Sequence, residues 1–166
     1  MGFSEELKKN RLIFYEEDVD RLNAGISKFI DTSQAECVLL VDIDGHLVTK
    51  QGYTKGINTD SIAALAAGSF ASTKELAKQL GEHEFSVMFH QGKNENMHIS
   101  SIEGRALIVI IFDDRTTIGM IRAYAEDLKV TLAEILKETA ERKGGGVSDE
   151  YANDAANKID DFFGED

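Results

Sequence analysis

The sequence predicts an α/β domain of the α+β type, in the order α-β-β-α-β-β-β-α, with five antiparallel strands and three helices. Three observations lead there. The apolar period changes from helical to strand-like just after Ser33. An Asp44-Gly45 pair then separates two β-prone runs. Finally, the last three strand candidates are joined by gaps too short for crossover helices, so they must run antiparallel as a meander.

The elements follow in order. Residues 1–14 mix charge with Phe3, Leu7, Leu12, Ile13 and Phe14 and form a lead-in. From about Glu16, Val19, Leu22, Ile26, Phe29 and Ile30 recur at steps of three and four, one apolar stripe ending near Asp31-Thr32-Ser33. Cys37 to Val41 and His46 to Lys50 are the two arms of a hairpin, because Gly45 tolerates the positive φ of a type I′ turn. Gly52 and Gly56 bracket a loop. Asn58-Thr59-Asp60-Ser61 offers N-cap oxygens for a helix reaching Leu80, with Gly81 as its C′ residue. Strands are expected at 84–91, 97–102 and 106–112. Thr116 or Thr117 opens the last helix, with Ile121, Ala125, Leu128, Leu132, Ile135 and Leu136 on one side. Lys143-Gly144-Gly145-Gly146 ends it as a linker. The expected organisation is a lead-in over 1–14, one domain over 15–142, and a Gly-rich linker with an acidic amphipathic tail over 143–166.

Composition narrows the function. The chain has 166 residues, 42% hydrophobic and 29% charged, with a formal net charge of −12. That acidity repels phosphate backbones, and the Lys8-Lys9-Asn10-Arg11 run is flanked by glutamates, so nucleic acid is not an expected partner. Half of the net charge lies in the last 23 residues, where seven acids face Lys158 alone. The single cysteine, Cys37, sits in an apolar run and reads as a buried, inert thiol. No stretch has the ~20 apolar residues of a membrane span, nor does the N-terminus have a signal-peptide core, so the cytoplasm is the expected compartment. Neither a metal nor any other cofactor is expected.

One enzyme suggests itself. Leu39-Leu40-Val41-Asp42-Ile43-Asp44-Gly45 looks like the first motif of haloacid-dehalogenase-type phosphatases, with Asp42 as nucleophile and Asp44 as acid/base. Asp113-Asp114 resembles that family's late acidic pair. The topology argues against it: that chemistry needs its aspartates together at the carboxyl edge of a parallel sheet, whereas the strand leading to Asp113 belongs to a meander. Asp44-Gly45 is sufficiently explained as a turn, and Asp113-Asp114 as acids preceding a helix. The four histidines fall on separate elements, with His90 and His98 the one pair a meander could bring together. No catalytic residue is expected.

The central helix carries the more informative pattern. Ile62, Leu65, Ser69, Leu76 and Leu80 can face the sheet. On another side Ala64, Gly68 and Ser72 recur at i, i+4 and i+8, flanked by Ala63, Ala67 and Ala71. A mid-helix glycine costs ~1 kcal/mol relative to alanine, so it calls for a reason. Close packing within the domain is one; a docking surface for another chain is the other, favoured because the opposite stripe already supplies a core face.

Those residues carry a resemblance. The element order resembles the Roadblock/dynein light chain family, with its longin-like sheet and helices on both faces. The segments Leu40-Val41-Asp42-Ile43-Asp44-Gly45-His46-Leu47, Ala63-Ala64-Leu65-Ala66-Ala67-Gly68 and Ile111-Phe112-Asp113-Asp114-Arg115-Thr116-Thr117-Ile118-Gly119 resemble its bacterial MglB branch over about residues 15–140. The resemblance implies a homodimer with sheets joined edge to edge and central helices paired. It implies that two copies engage one Ras-like GTPase of the MglA kind, in cell polarity and motility, with enrichment at a cell pole. It further implies acceleration of GTP hydrolysis by remodelling the GTPase without an arginine finger, and Arg105, Arg115 and Arg122 do sit at element edges or in a helix. On this chain Ala63, Ala64, Ala67, Gly68, Ala71 and Ser72 would form the GTPase- or dimer-docking surface. A Roadblock-type scaffold that binds a GTPase or a larger assembly without changing turnover is the alternative.

The tail admits two readings as well. Tyr151, Ala155, Ile159, Phe162 and Phe163 lie at helical spacing in an acidic segment, which is either a solubilising tail or a partner motif with an aromatic anchor. The partner motif is favoured, because adjacent phenylalanines are poorly suited to solvent, and the resemblance implies a GTPase contact away from the main interface.

Overall fold

The computed structural model describes residues 14–145. The lead-in and the tail, with Tyr151, Ile159, Phe162 and Phe163, therefore lie outside the described residues. The elements are α1 (Glu16–Ser33), β1 (Cys37–Asp42), β2 (Leu47–Gly52), α2 (Thr59–Gln79), β3 (Val87–Gln91), β4 (Asn96–Ile102), β5 (Ala106–Phe112) and α3 (Ile118–Gly145). This is the expected order. The strands form one antiparallel sheet in the order β2-β1-β5-β4-β3.

Helices cover both faces. On one, α1 and α3 pack Leu22, Ile26, Phe29, Ile121, Leu128, Leu132 and Leu136 against Val38, Leu40, Ile108, Ile110 and Phe112. On the other, α2 lies alone over Leu39, Val41, Ile99, Leu107 and Val109. The central strands β1 and β5 are buried at every residue. They accordingly read as unbroken apolar runs, since neither side of the pleat meets water.

Several boundaries differ from expectation for identifiable reasons. The β1–β2 hairpin does form, but its turn spans Ile43–His46 and β2 starts only at Leu47. The Asp42 carboxylate accepts the backbone N–H of Asp44 (3.0 Å) and of His46 (2.8 Å), which holds a wider loop than a two-residue turn. Only Gly45 has positive φ there, whereas a type I′ turn needs two such residues. β3 begins at Val87 rather than residue 84, because at the start of this edge strand the ladder thins to one long bond, from the Ser101 N–H to Ser86 O at 3.4 Å. Helix α3 continues through Gly144 and Gly145, so the linker does not begin at Lys143.

Candidate functional site

Helix α2 is framed at both ends by its own chemistry. The Asn58 side chain accepts the Ser61 N–H at 3.1 Å, a standard N-cap. At the other end Gly81, with φ of +80°, lets its N–H reach Lys78 O while the Glu82 N–H reaches Ala77 O at 2.9 Å. That pair of bonds is a Schellman close, and it places Gly81 at the C′ position the sequence indicated.

The face that α2 buries is the reverse of the expected one. Ala63, Ala66, Ala67, Phe70 and Ala77 lie against the sheet. Leu65, Leu76 and Leu80 point outward and are 70%, 60% and 73% exposed. The cause is volume: Leu39, Val41, Leu107 and Val109 already fill the space above the strands, so the helix approaches with alanines and a single large residue, Phe70. Of the six residues assigned to the docking surface, Ala63 and Ala67 therefore belong to the interior. Ala64, Gly68, Ala71 and Ser72 remain on the outside.

The outward face thus combines the small residues with leucines. Positions 65, 68, 69, 72, 76 and 80 share one side of a helix. A Cβ on Gly68 would meet nothing within 4 Å among the described residues, so none of their packing requires a glycine there. Ser72 returns its hydroxyl to Gly68 O at 3.0 Å and presents little bulk. Three leucines exposed on one helix, flanking a shallow centre, form an apolar surface of the kind that binds another protein.

The aspartates of the phosphatase-like motif are structural. Asp42 is buried and serves the turn, and β1 and β5 run antiparallel with Asp42 beside Ala106 and Cys37 beside Ile111. Asp42 and Asp113 therefore stand at opposite ends of the sheet, which rules out a shared centre. Asp113 is instead bound to Arg115 Nε at 2.9 Å, and that guanidinium holds its carboxyl below the ordinary range.

A model of the Roadblock/LC7 domain matches residues 25–112. The chain belongs to the Roadblock/LC7 domain family. Among solved structures, Myxococcus xanthus MglB is similar at 34% identity and a TM-score of 0.72, over 77% of this chain and 96% of that one. The gliding protein MglB of Thermus thermophilus is similar at 28% identity and 0.73, over 76% and 96%. An MglB described with a tetrameric arrangement is similar at 27% identity and 0.74, over 77% and 96%. A Roadblock/LC7 domain from Streptomyces avermitilis, at 14% identity and 0.54, shares the fold alone. No curated protein sequence matches. These likenesses place the chain with the MglB-type regulators of the Roadblock family, which are regulatory domains rather than enzymes.

Within this Roadblock domain the remaining candidates can be placed. Arg105 is half-buried and donates to Leu136 O at 3.5 Å, Arg115 is held by Asp113, and Arg122 lies on α3, across the sheet from α2. His90 pairs with Met97 and His98 with Phe89, so the two histidines point to opposite faces and share no site. Cys37 is buried, and desolvation pushes its thiol up to about 11. One cluster escaped the sequence reading. Glu36, Glu95 and Asp113 converge within 4.8 Å where the start of β1 and the ends of the β4–β5 pair meet. Desolvation first, and Glu36 second, raise the Glu95 carboxyl. Nothing local in the sequence signals this group, because sheet order alone assembles it. No described helix is long and apolar enough to cross a membrane.

Proposed function

We propose that this chain is a homodimeric GTPase-activating regulator of a small Ras-like GTPase of the MglA kind, acting in bacterial cell polarity and motility. The outward face of α2 carries this reading. Two copies of the helix crossing antiparallel would bring their Gly68 and Ser72 centres together and set Leu65 against Leu76 across a twofold axis, a self-complementary arrangement. With β3 edges joined, the paired helices then form one surface for a single GTPase, engaged by two copies of the chain.

Activation proceeds by remodelling the GTPase rather than through a donated arginine. Among the described arginines, Arg21, Arg105, Arg115 and Arg142 are bound within the protomer, and Arg122 faces away from α2. The tail motif of Tyr151, Ile159, Phe162 and Phe163 supplies a second contact with the GTPase.

The test is GTP hydrolysis by the cognate GTPase with and without this chain at fixed salt. Stimulation is expected, and Gly68→Arg should abolish it together with binding. Co-migration without stimulation would favour the scaffold. Loss of ~10³ or more in stimulation by Arg122→Ala, with binding intact, would restore an arginine finger.

A further inference from the structure

The sheet face opposite α2 is incompletely covered. Val87 and Phe89 of β3 pair with Ser100 and His98, whose β5 partners Ile108 and Ile110 lie in the core under α1 and α3. Val87 and Phe89 therefore point to that same side. Helix α3 packs on β4 but leaves Phe89 42% exposed, although its ring stacks on Phe112 at 6.1 Å. A cavity of about 310 Å³ opens beside this aromatic step, lined by Phe89, Lys93, Phe112, Asp113, Asp114 and Ile118 among others.

The α3 wall next to His98, one strand in from Phe89, has an unexpected sign. Arg122, Glu126 and Lys129 recur along the flank of α3 whose charges act on His98, and Ala133 and Lys137 continue the row at helical spacing. Three cations against one acid make the row basic on a chain whose net charge is −12. The same chain holds an acidic segment with an aromatic anchor, Ile159, Phe162 and Phe163, directly after the helix that forms the wall.

We propose that the chain's own C-terminal segment, residues 147–166, folds back antiparallel to α3 and lodges Phe162 and Phe163 on the Phe89–Phe112 step, with its acids facing Arg122, Lys129 and Lys137. The reach suffices. From Gly145 back to the level of Ile118 along the helix is ~40 Å. Eight extended residues and nine helical ones span ~41 Å. Gly146, the first residue past the helix, supplies the backbone freedom for the reversal. Aromatic burial gives the seat its affinity, while the charges fix its place. Edge-to-edge pairing through β3 leaves this seat open, because side-chain faces stand perpendicular to the hydrogen-bonding edge. The tail is then stored on its own domain until a partner displaces it.

The test uses the full ¹⁵N-labelled chain carrying Gly164→Cys with a nitroxide, Cys37 being buried. At low salt, amide signals of Phe89–Gln91 and of Arg122–Lys129 should broaden severalfold more than those of α2. Broadening should be lost in Phe162→Asp/Phe163→Asp and in Arg122→Glu/Lys129→Glu, and at least halved in 0.5 M salt. Uniform signals, broadening centred on α2, or broadening that survives the Arg122/Lys129 reversal would overturn the proposal. So would broadening of a labelled chain by a nitroxide on an unlabelled one, which would assign the seat to a second copy's tail. No GTPase is present, so failure here leaves the activator reading intact.

Discussion

At the residue scale, His98 makes the fold sensitive to acid. Its ring is 2% exposed, and among the described residues neither nitrogen has a hydrogen-bond partner, nor has the buried Ser100 hydroxyl. Desolvation first, then the cations of Lys129 and Arg122, lower its pKa from 6.5 to about 4. The unfolded chain takes up this proton below pH 6.5 and the folded chain does not, so His98 lowers stability as pH falls from 6.5 towards 4. The shift corresponds to roughly 3 kcal/mol over that window. In urea unfolding at pH 7 and pH 4.5, His98→Leu should lose less stability on acidification than the parent chain. Equal losses would mean that the ring escapes to solvent before it is protonated. Two glycines make a second test at this scale. A Cβ on Gly52, at φ of +93°, would sit 2.4 Å from Glu36 O and 2.8 Å from Cys37 Cα, both backbone atoms. Gly52→Ala should cost several kcal/mol, on the order of the largest single-site effects. Gly68→Ala has open space and a helical backbone, so it should stabilise the protomer by ~1 kcal/mol in thermal unfolding.

At the scale of elements, α2 shows both what the sequence conveys and where it stops. The strands, the Asp44-Gly45 reversal and the Gly81 close were legible because each rests on local chemistry: β-branched runs, a positive φ, a cap. The orientation of α2 was not. The helix offers two stripes at helical spacing, one of leucines and one of alanines, and hydrophobicity alone favours burying the leucines. The bulk of Leu39, Val41, Leu107 and Val109 on the strands below decides for the alanines, and that information lies some 25 to 45 residues away along the chain. The stripe of small residues is therefore divided: Ala64, Gly68, Ala71 and Ser72 lie outward together with Leu65, Leu76 and Leu80, whereas Ala63 and Ala67 lie against the sheet. The consequence is measurable. Leu65→Lys and Leu76→Lys replace exposed side chains and should change protomer stability by no more than ~0.5 kcal/mol. In light scattering after size exclusion the parent should run as a dimer and the double variant at half its mass. A double variant that remains dimeric would move the interface off α2.

At the scale of the molecule, the match to the Roadblock/LC7 domain ends at residue 112, yet α3 contributes Ile121, Ala125, Leu128, Leu132 and Leu136 to the larger core. The last helix is therefore part of the same folding unit. Its far end is fastened to the beginning of the domain by two ion pairs. Arg21 meets Glu138 at 2.6 Å in solvent, where such a pair contributes little. Arg142 binds Asp18, whose side chain is only 3% exposed, and its guanidinium also lies 4.9 Å from the centre of the Tyr15 ring. Asp18 additionally accepts the Tyr15 N–H at 3.1 Å, which caps α1, so one buried carboxylate joins a helix start to a helix end. Removing the arginine leaves that carboxylate buried with a single backbone donor, and Arg142→Ala should cost roughly 2 kcal/mol, below the full penalty for a buried pair because Arg142 itself is half-exposed. Asp18→Asn should lose the ion pair while keeping a capping oxygen, and the double variant should be less destabilised than the two single losses added together, with a coupling of about 1 kcal/mol. Urea unfolding of the four chains measures this cycle. If Arg142→Ala alone costs under ~0.5 kcal/mol, the clasp is merely a surface pair, and α3 is seated by Leu132 and Leu136 without help from its end.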